Sequence, residues 1–360
     1  MLLVSCNKDA GQIEKIDGPA SDAEKKEVTF FFSTAEMDSP VSTALANTAT
    51  TRAVNETDLK NVRVLQFDGK GANAKLIFNK FYGSEDIVTD KDDANKKILY
   101  VTLFEKEETC IYIIANNKTK QFQWLDDTKD EELGNALTLG SFKSMTLDFE
   151  NEGDVTLTDT ALPMTGSFEG EISASASVTI KLTRLVSKVT FTCNVDIPTG
   201  VGESFDIKRV QLVNVASKVG FDAITVPTAQ TGLFPDGSSS DNFMDYAEEA
   251  VSGAPLQCTW YLPENLRGVV TGLTEKTKDL EHAPAHSTCI DVSGEYTKNG
   301  TLTDVTYRIY LGKNNSTDFN LIRNNSYNVT ATILGINQSD KRVIVEKGIP
   351  AGKYDDGEWK

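Results

Sequence analysis

The sequence predicts an all-β fold of two tandem antiparallel β-sandwich domains, and three observations carry that expectation. Apolar and polar residues alternate with period two from about residue 28 to the end. Helical periodicity is weak, and the strand-like runs are separated by Gly, Asn and Asp, the residues of tight turns. The chain is 360 residues long, which exceeds one small core and suits two domains of about 100–200 residues each.

The elements follow in order. In "VTFFFS" (28–33), Val28, Phe30 and Phe32 point one way while Thr29 and Phe31 point the other. Three large apolar side chains on one face, each contributing about 1.5–3 kcal/mol when buried, mark a strand built for an interior. A soft linker of small and polar residues (34–56) precedes "NVRVLQFDG" (61–69). "KILYVTLFE" (97–105) places Leu99, Val101 and Leu103 on one face and Tyr100 and Phe104 on the other. "TCIYIIANN" (109–117) sets Ile111 and Ile113 opposite Cys110, Tyr112 and Ile114. "DDTKDEELGNALTLG" (126–140) offers at most one short helix. The pattern resumes in "SVTIKL" (177–182), "KVTFTCNVDI" (188–197), "IKRVQLVNV" (207–215), "VTYRIYLG" (305–312) and "SYNVTATILG" (326–335).

A domain boundary fits best within "IKLTRLVSKVTFT" (180–192). This gives a lipobox and polar tether over 1–27, an N-terminal sandwich over 28–185 and a C-terminal sandwich over 186–360. Segments 234–249 and 274–288 read as long loops of the second domain.

Composition limits the chemistry. With 53 acids against 36 bases the net charge is −17, and no basic stripe is present to track phosphates, so nucleic acid is not an expected partner. No apolar run approaches the ~20 residues of a membrane-spanning helix. His282, His286 and Cys289 lie within "HAPAHSTC", but Pro284 breaks the helix that would align the two imidazoles, so no metal site is expected. No Walker loop, dinucleotide fingerprint or nucleophile elbow occurs. The expectation is no enzyme, no cofactor and no metal. Cys110 and Cys193 occupy strand positions and read as small core hydrophobes; a Cys258–Cys289 disulfide stays open.

The ends carry two further signals. Leu3-Val4-Ser5-Cys6 has the form of a lipobox, with Cys6 the acylated residue and a polar tether after it. That anchor makes the protein peripheral, attached to the membrane through lipid only. In the linker, "ANTATTRAVNE" (46–56) carries a single cation, Arg52, followed by Ala53. Exposed small-residue segments are where proteases cut, and a trypsin-like enzyme needs a cation for its specificity pocket. A cut there would free the aromatic strand Val28, Phe30, Phe31 and Phe32 and leave a hydrophobic groove with unpaired backbone groups.

These features together resemble a known family, the fimbrillin-like lipoproteins that build type V pili of anaerobic gut and oral bacteria. The resemblance rests on "LVSC", "TTRA", "NVRVLQFDGKG", "YIIANN", "LPMTG" followed by "VTIKLTRLVSKVTF", "WYLPENLRG" (260–268) and "YRIYLGKNNSTDFNLIRNNSYNVTATILG" (307–335). It implies two transthyretin-like or immunoglobulin-like sandwiches and an outer-membrane lipoprotein precursor that becomes part of a cell-surface fimbrium. It also implies removal of the first strand by an arginine-specific protease at Arg52–Ala53, and head-to-tail strand exchange with other pilin subunits. Within 341–360, Val343, Ile344 and Val345 are the candidate donor strand; alternatively they complete the second domain. The long loops of the second domain read more like an accessory or tip subunit than a shaft subunit. Trp260 and Tyr261 either stack on a host glycan or protein, in a surface lipoprotein that stays uncut, or belong to a buried strand end.

Overall fold

The computed structural model describes residues 24–37, 56–93, 96–116, 137–149, 161–198, 200, 202–251, 254–336 and 342–345. The regular structure among the described residues is almost entirely strand. The N-terminal half comprises β1 (Lys25–Thr34), β2 (Val62–Phe67), β3 (Leu76–Tyr82), β4 (Val88–Thr89), β5 (Lys97–Phe104) and β6 (Lys106–Ala115). A one-turn helix α1 (Leu139–Lys143) follows, capped by the Thr138 hydroxyl accepting from the Ser141 amide at 3.2 Å. Next come β7 (Thr146–Asp148), β8 (Met164–Ile172) and β9 (Ser177–Arg184).

Except for β7, these strands form one sheet in the order β3-β2-β6-β8-β9-β1-β5-β4. The β8–β9 junction consists of two residue pairs, Met164 with Arg184 and Thr165 with Thr183. At this corner the sheet turns back on itself, because one apolar cluster takes Val28, Phe30 and Phe32 from β1, Leu99 and Val101 from β5, and Val62, Val64, Ile111 and Ile113 from β2 and β6. The two halves of the sheet are therefore the two layers of the first sandwich.

Strand β2 is buried on both faces. Val62 and Val64 face the sandwich core, whereas Leu65 and Phe67 enter a second cluster with Cys110, Tyr112, Ile114 and Phe142. Gln66, fully buried within β2, is satisfied by acting as a surrogate peptide group. Its amide donates to the Phe104 carbonyl at 2.8 Å and accepts from the Phe104 amide at 3.0 Å.

The second half begins one residue after β9, with β10 (Val186–Val195). It continues through β11 (Glu203–Val213), β12 (Val215–Ala216), β13 (Lys218–Gly220), β14 (Phe243–Met244), β15 (Glu249–Ala250), β16 (Leu256–Pro263) and β17 (Asn265–Val269). It closes with β18 (Cys289–Lys298), β19 (Thr301–Tyr310), β20 (Asp318–Leu321), β21 (Ser326–Ile333) and β22 (Val343–Val345). A three-stranded sheet β16-β10-β21 faces a five-stranded sheet β15-β11-β18-β19-β22. Between them lies a core that includes Phe191, Trp260, Ile290, Val292 and Tyr327.

The halves are fastened to each other. Strand β7 pairs with β13, and Phe142 stacks on Phe221 with ring centroids 5.4 Å apart. The Tyr112 hydroxyl donates to Asp222 at 3.1 Å, and Tyr261 and Val219 join the cluster around Phe142. Cys110, Cys193, Cys258 and Cys289 are all buried free thiols, so the Cys258–Cys289 bridge left open by the sequence is not made.

Because Phe30 is fully buried while Phe31 lies on the outer face beneath the Lys96 ammonium, 4.2 Å from its ring centroid, truncating the two has different costs. Phe30→Ala should lower unfolding free energy by about 3–5 kcal/mol, and Phe31→Ala by about 1 kcal/mol. Urea titration of both variants checks the ordering.

Candidate functional site

Strand β1 is the first strand of its domain, yet it lies inside a sheet. It pairs antiparallel with β5, from Lys25 opposite Phe104 to Phe32 opposite Lys97. On its other side it pairs parallel with β9, from Thr29 opposite Ser177 to Thr34 opposite Leu182. Alternation sends Val28, Phe30 and Phe32 inward, where Leu99, Val101 and Leu103 of β5 and Val178, Ile180 and Leu182 of β9 flank them. Removing β1 would uncover an apolar trough and orphan backbone groups along both flanking strands, which is costly unless another strand replaces it.

The second domain contains the same arrangement. Strand β10 pairs antiparallel with β16 and parallel with β21. The two first strands differ in what surrounds them along the chain. Strand β10 follows β9 after a single residue, whereas β1 is joined to β2 through the linker that contains Arg52.

Both described ends of that linker converge on one group of side chains. Arg184, at the end of β9 and 3% exposed, donates from Nη1 to the Ala35 carbonyl at 2.7 Å and from Nε to the Glu56 carbonyl at 2.8 Å. The same Nη1 donates to Asn324 Oδ1 at 2.9 Å. Asn324 Nδ2 in turn donates to the Glu36 carbonyl at 2.6 Å. Asn324 has φ of 56°, a left-handed conformation that asparagine tolerates better than most residues. The Glu56 carboxylate accepts from Lys188 Nζ at 2.7 Å and from the Tyr261 hydroxyl at 2.8 Å. One guanidinium therefore holds the chain where it leaves β1 and where it returns towards β2. Arg184 belongs to the first domain, and its Asn324 partner to the second.

Electrostatics match the geometry. Burial lowers the Arg184 guanidinium from its ordinary value, partly offset by the nearby Glu56 carboxylate. Burial alone would raise Glu56, but the hydrogen bonds from Lys188 and Tyr261 outweigh it and leave the carboxyl below its usual range.

The other expected site residues fall in several places. Cys6, Arg52 and Ala53 lie outside the described residues. Val343, Ile344 and Val345 form β22, at the edge of their own five-stranded sheet, opposite Tyr307, Thr306 and Val305 of β19. Here they complete the second domain. Trp260 and Tyr261 are buried in β16, so neither offers a ring face to a glycan or host protein. Trp260 packs near Phe191 and donates to Glu249 at 3.1 Å, and Tyr261 is committed to Glu56. The imidazole of His282 contacts Asp279 at 2.7 Å, that of His286 stacks on Phe243, and Cys289 sits in β18. Among the described residues no group of three potential ligands is assembled for a metal.

The polar letters of "WYLPENLRG" also face inward. Glu264 is buried and paired with Arg323 at 2.8 Å. Asn265 Nδ2 donates to Thr288 Oγ1 at 2.8 Å, and the Gly268 amide donates to Asn320 Oδ1 at 2.7 Å. Gly268 has φ of 78°, and a Cβ there would lie 2.2 Å from the Ala229 carbonyl oxygen, so glycine is required. This network ties β17 to β20 and positions the turn that carries Arg323 and Asn324.

Residues 260–331 match the family model described as "Domain of unknown function (DUF4906)". No curated protein matches the sequence. Among solved structures, a candidate cell adhesion protein from Bacteroides eggerthii superposes with a TM-score of 0.53 at 16% identity, covering 90% of this chain and 95% of that one. A candidate cell adhesion protein from Parabacteroides distasonis gives 0.51 at 15% identity, covering 89% and 97%. A C-terminally truncated tip fimbrial protein from Porphyromonas gingivalis gives 0.45 at 13% identity, covering 90% and 98%. The first two share this chain's fold over nearly its whole length.

Glu56 provides a pH test. A carboxyl held below its unfolded value stabilises the fold above that value, near 4.5, and loses its contribution as pH falls through the folded value. Glu56→Gln should therefore be less stable than wild type at pH 7, and the gap should narrow below about pH 4.5. Chemical denaturation across pH 3.5–7 measures it.

Proposed function

We propose that this chain is a structural or accessory subunit of a cell-surface fimbrium that supports adhesion. In this reading the protein is exported as an outer-membrane lipoprotein through Cys6. An arginine-specific protease cuts it between Arg52 and Ala53, and other subunits join it by strand exchange. The single observation that carries the reading is the position of β1. This strand is paired on both sides and buried through Val28, Phe30 and Phe32, yet it is connected onward only by the segment that contains Arg52.

A strand so placed is a plug: its removal creates a groove that only another extended segment fills well. The shared fold with two structures of the cell adhesion class supports a surface role, and the sequence resemblance supports a fimbrial one. Head-to-tail exchange is heterologous and does not close, so it propagates a filament. The segment 341–360 is the candidate donor. To serve, β22 would give up an edge position secured by three residue pairs, a small barrier beside the ten-residue ladder that β18 makes with β19. The alternative, an uncut lipoprotein that binds through loops of the second domain, loses its proposed contacts because Trp260 and Tyr261 are buried.

Arg52→Ala should leave a monomeric precursor on the cell surface, with the lipid still on Cys6, whereas wild-type protein in assembled fibres should begin at Ala53. N-terminal sequencing of the surface species decides between them. Lipidated Cys6 within assembled fibres would rule the proposal out.

A further inference from the structure

We infer that Arg184 and Asn324 form an end-stop that reads two successive backbone carbonyls and so fixes the register of whichever strand occupies the β1 groove. The inference rests on the strand-exchange reading and specifies what the incoming partner must supply. In the intact chain the two carbonyls are those of Ala35 and Glu36, immediately after the last residue of β1. Both side chains that read them are less than one tenth exposed, and each is held by a further contact: Arg184 on the Glu56 carbonyl, Asn324 by accepting from Arg184. The donors would therefore stay aimed at the groove's exit when β1 leaves. They would then be buried and short of an acceptor, a state that costs more than the bond itself contributes.

The trough alone specifies register poorly. Its apolar contacts repeat every two residues, so a strand displaced by two would still place large side chains inward at most positions. A fixed pair of donors at one end breaks that degeneracy. It also sets direction, because the carbonyls must arrive at the end where β1 runs parallel to β9. The partner is accordingly an extended peptide with apolar residues at the positions of Val28, Phe30 and Phe32, entering in the direction of β1. It must continue at least two residues beyond Thr34 without folding away. Asn324 belongs to the second domain, so the end-stop is complete only when the two domains are docked through β7, β13 and the Phe142–Phe221 stack.

The test uses the full chain cut at Arg52 and two fluorescent synthetic peptides, residues 24–37 and residues 24–34. The shorter lacks both carbonyls and also the Ala35 amide that donates to Leu182. Peptide 24–37 should leave the cut chain about tenfold or more slowly than peptide 24–34, as expected for loss of hydrogen bonds to a charged donor. In Arg184→Lys, and separately in Asn324→Gly, which keeps the left-handed backbone relaxed, the difference between peptides should shrink. Because the readout is a dependence on peptide length within each variant, a general loss of stability does not mimic it. Equal dissociation of both peptides from wild type, or an undiminished gap in both variants, overturns the end-stop and leaves strand exchange standing. If neither peptide enters the cut chain, strand exchange falls and the end-stop with it.

Discussion

The structure depends on β1 being paired along both edges at once. A strand at the rim of a sheet leaves half its backbone groups to water, but β1 shares its amides and carbonyls with β5 on one side and β9 on the other. Within its layer of the first sandwich β1 is the link between β9, which reaches β8 through only two residue pairs, and β5, which leads through Glu105 into β6. The same strand supplies Val28, Phe30 and Phe32 to the interior. Backbone pairing and apolar burial are thus concentrated in ten residues close to the start of the described chain. A domain built this way is stable with the strand seated and incomplete without it, which is the physical basis for reading it as exchangeable.

The second domain shows what the first would be without that vulnerability. Its opening strand, β10, occupies the equivalent place between an antiparallel and a parallel neighbour, but it continues from β9 through Leu185 alone. Cutting in a linker cannot free β10 in the way it could free β1. The two halves share a topology and differ in tethering, and the residues at the tether are the ones that cross between domains. Arg184 binds Ala35, Glu56 and Asn324, while Glu56 binds Lys188 and Tyr261. The seat of β1 and the domain interface are one structural unit.

Much of this was legible in the sequence because apolar alternation reports burial directly. The inward set of β1, the Leu99–Val101–Leu103 face of β5 and the opposed faces of β6 are as the period-two pattern predicts. Buried polar residues were not legible. Gln66 and Arg63 in β2, Arg184 in β9, and Glu264, Asn265 and Arg267 after β16 carry letters that normally mark a solvent face. They are buried because each meets a specific partner across 23 residues or more of sequence in most cases, as Gln66 does at Phe104, Arg184 at Asn324 and Glu264 at Arg323, and alternation carries no information about such partners. "TRLVSK" and "RNNSY" contributed to the resemblance, but nothing in either string shows that Arg184 and Asn324 meet. Of the two readings open for Trp260 and Tyr261, the buried strand is the one observed. Trp260 packs within the second core, and Tyr261 turns the other way into the cluster between the domains.

Hydrogen exchange of the β1 amides, before and after the linker is cut at Arg52, tests the central claim most directly. The account predicts that β1 is as protected as β2 and β6 in the intact chain. After the cut it should gain its own opening pathway, exchanging faster than β2 and β6 while they keep their protection. If β1 in the cut chain still exchanges only together with β2 and β6, in a single global unfolding, it is a permanent part of the core and the exchangeable-strand account is contradicted.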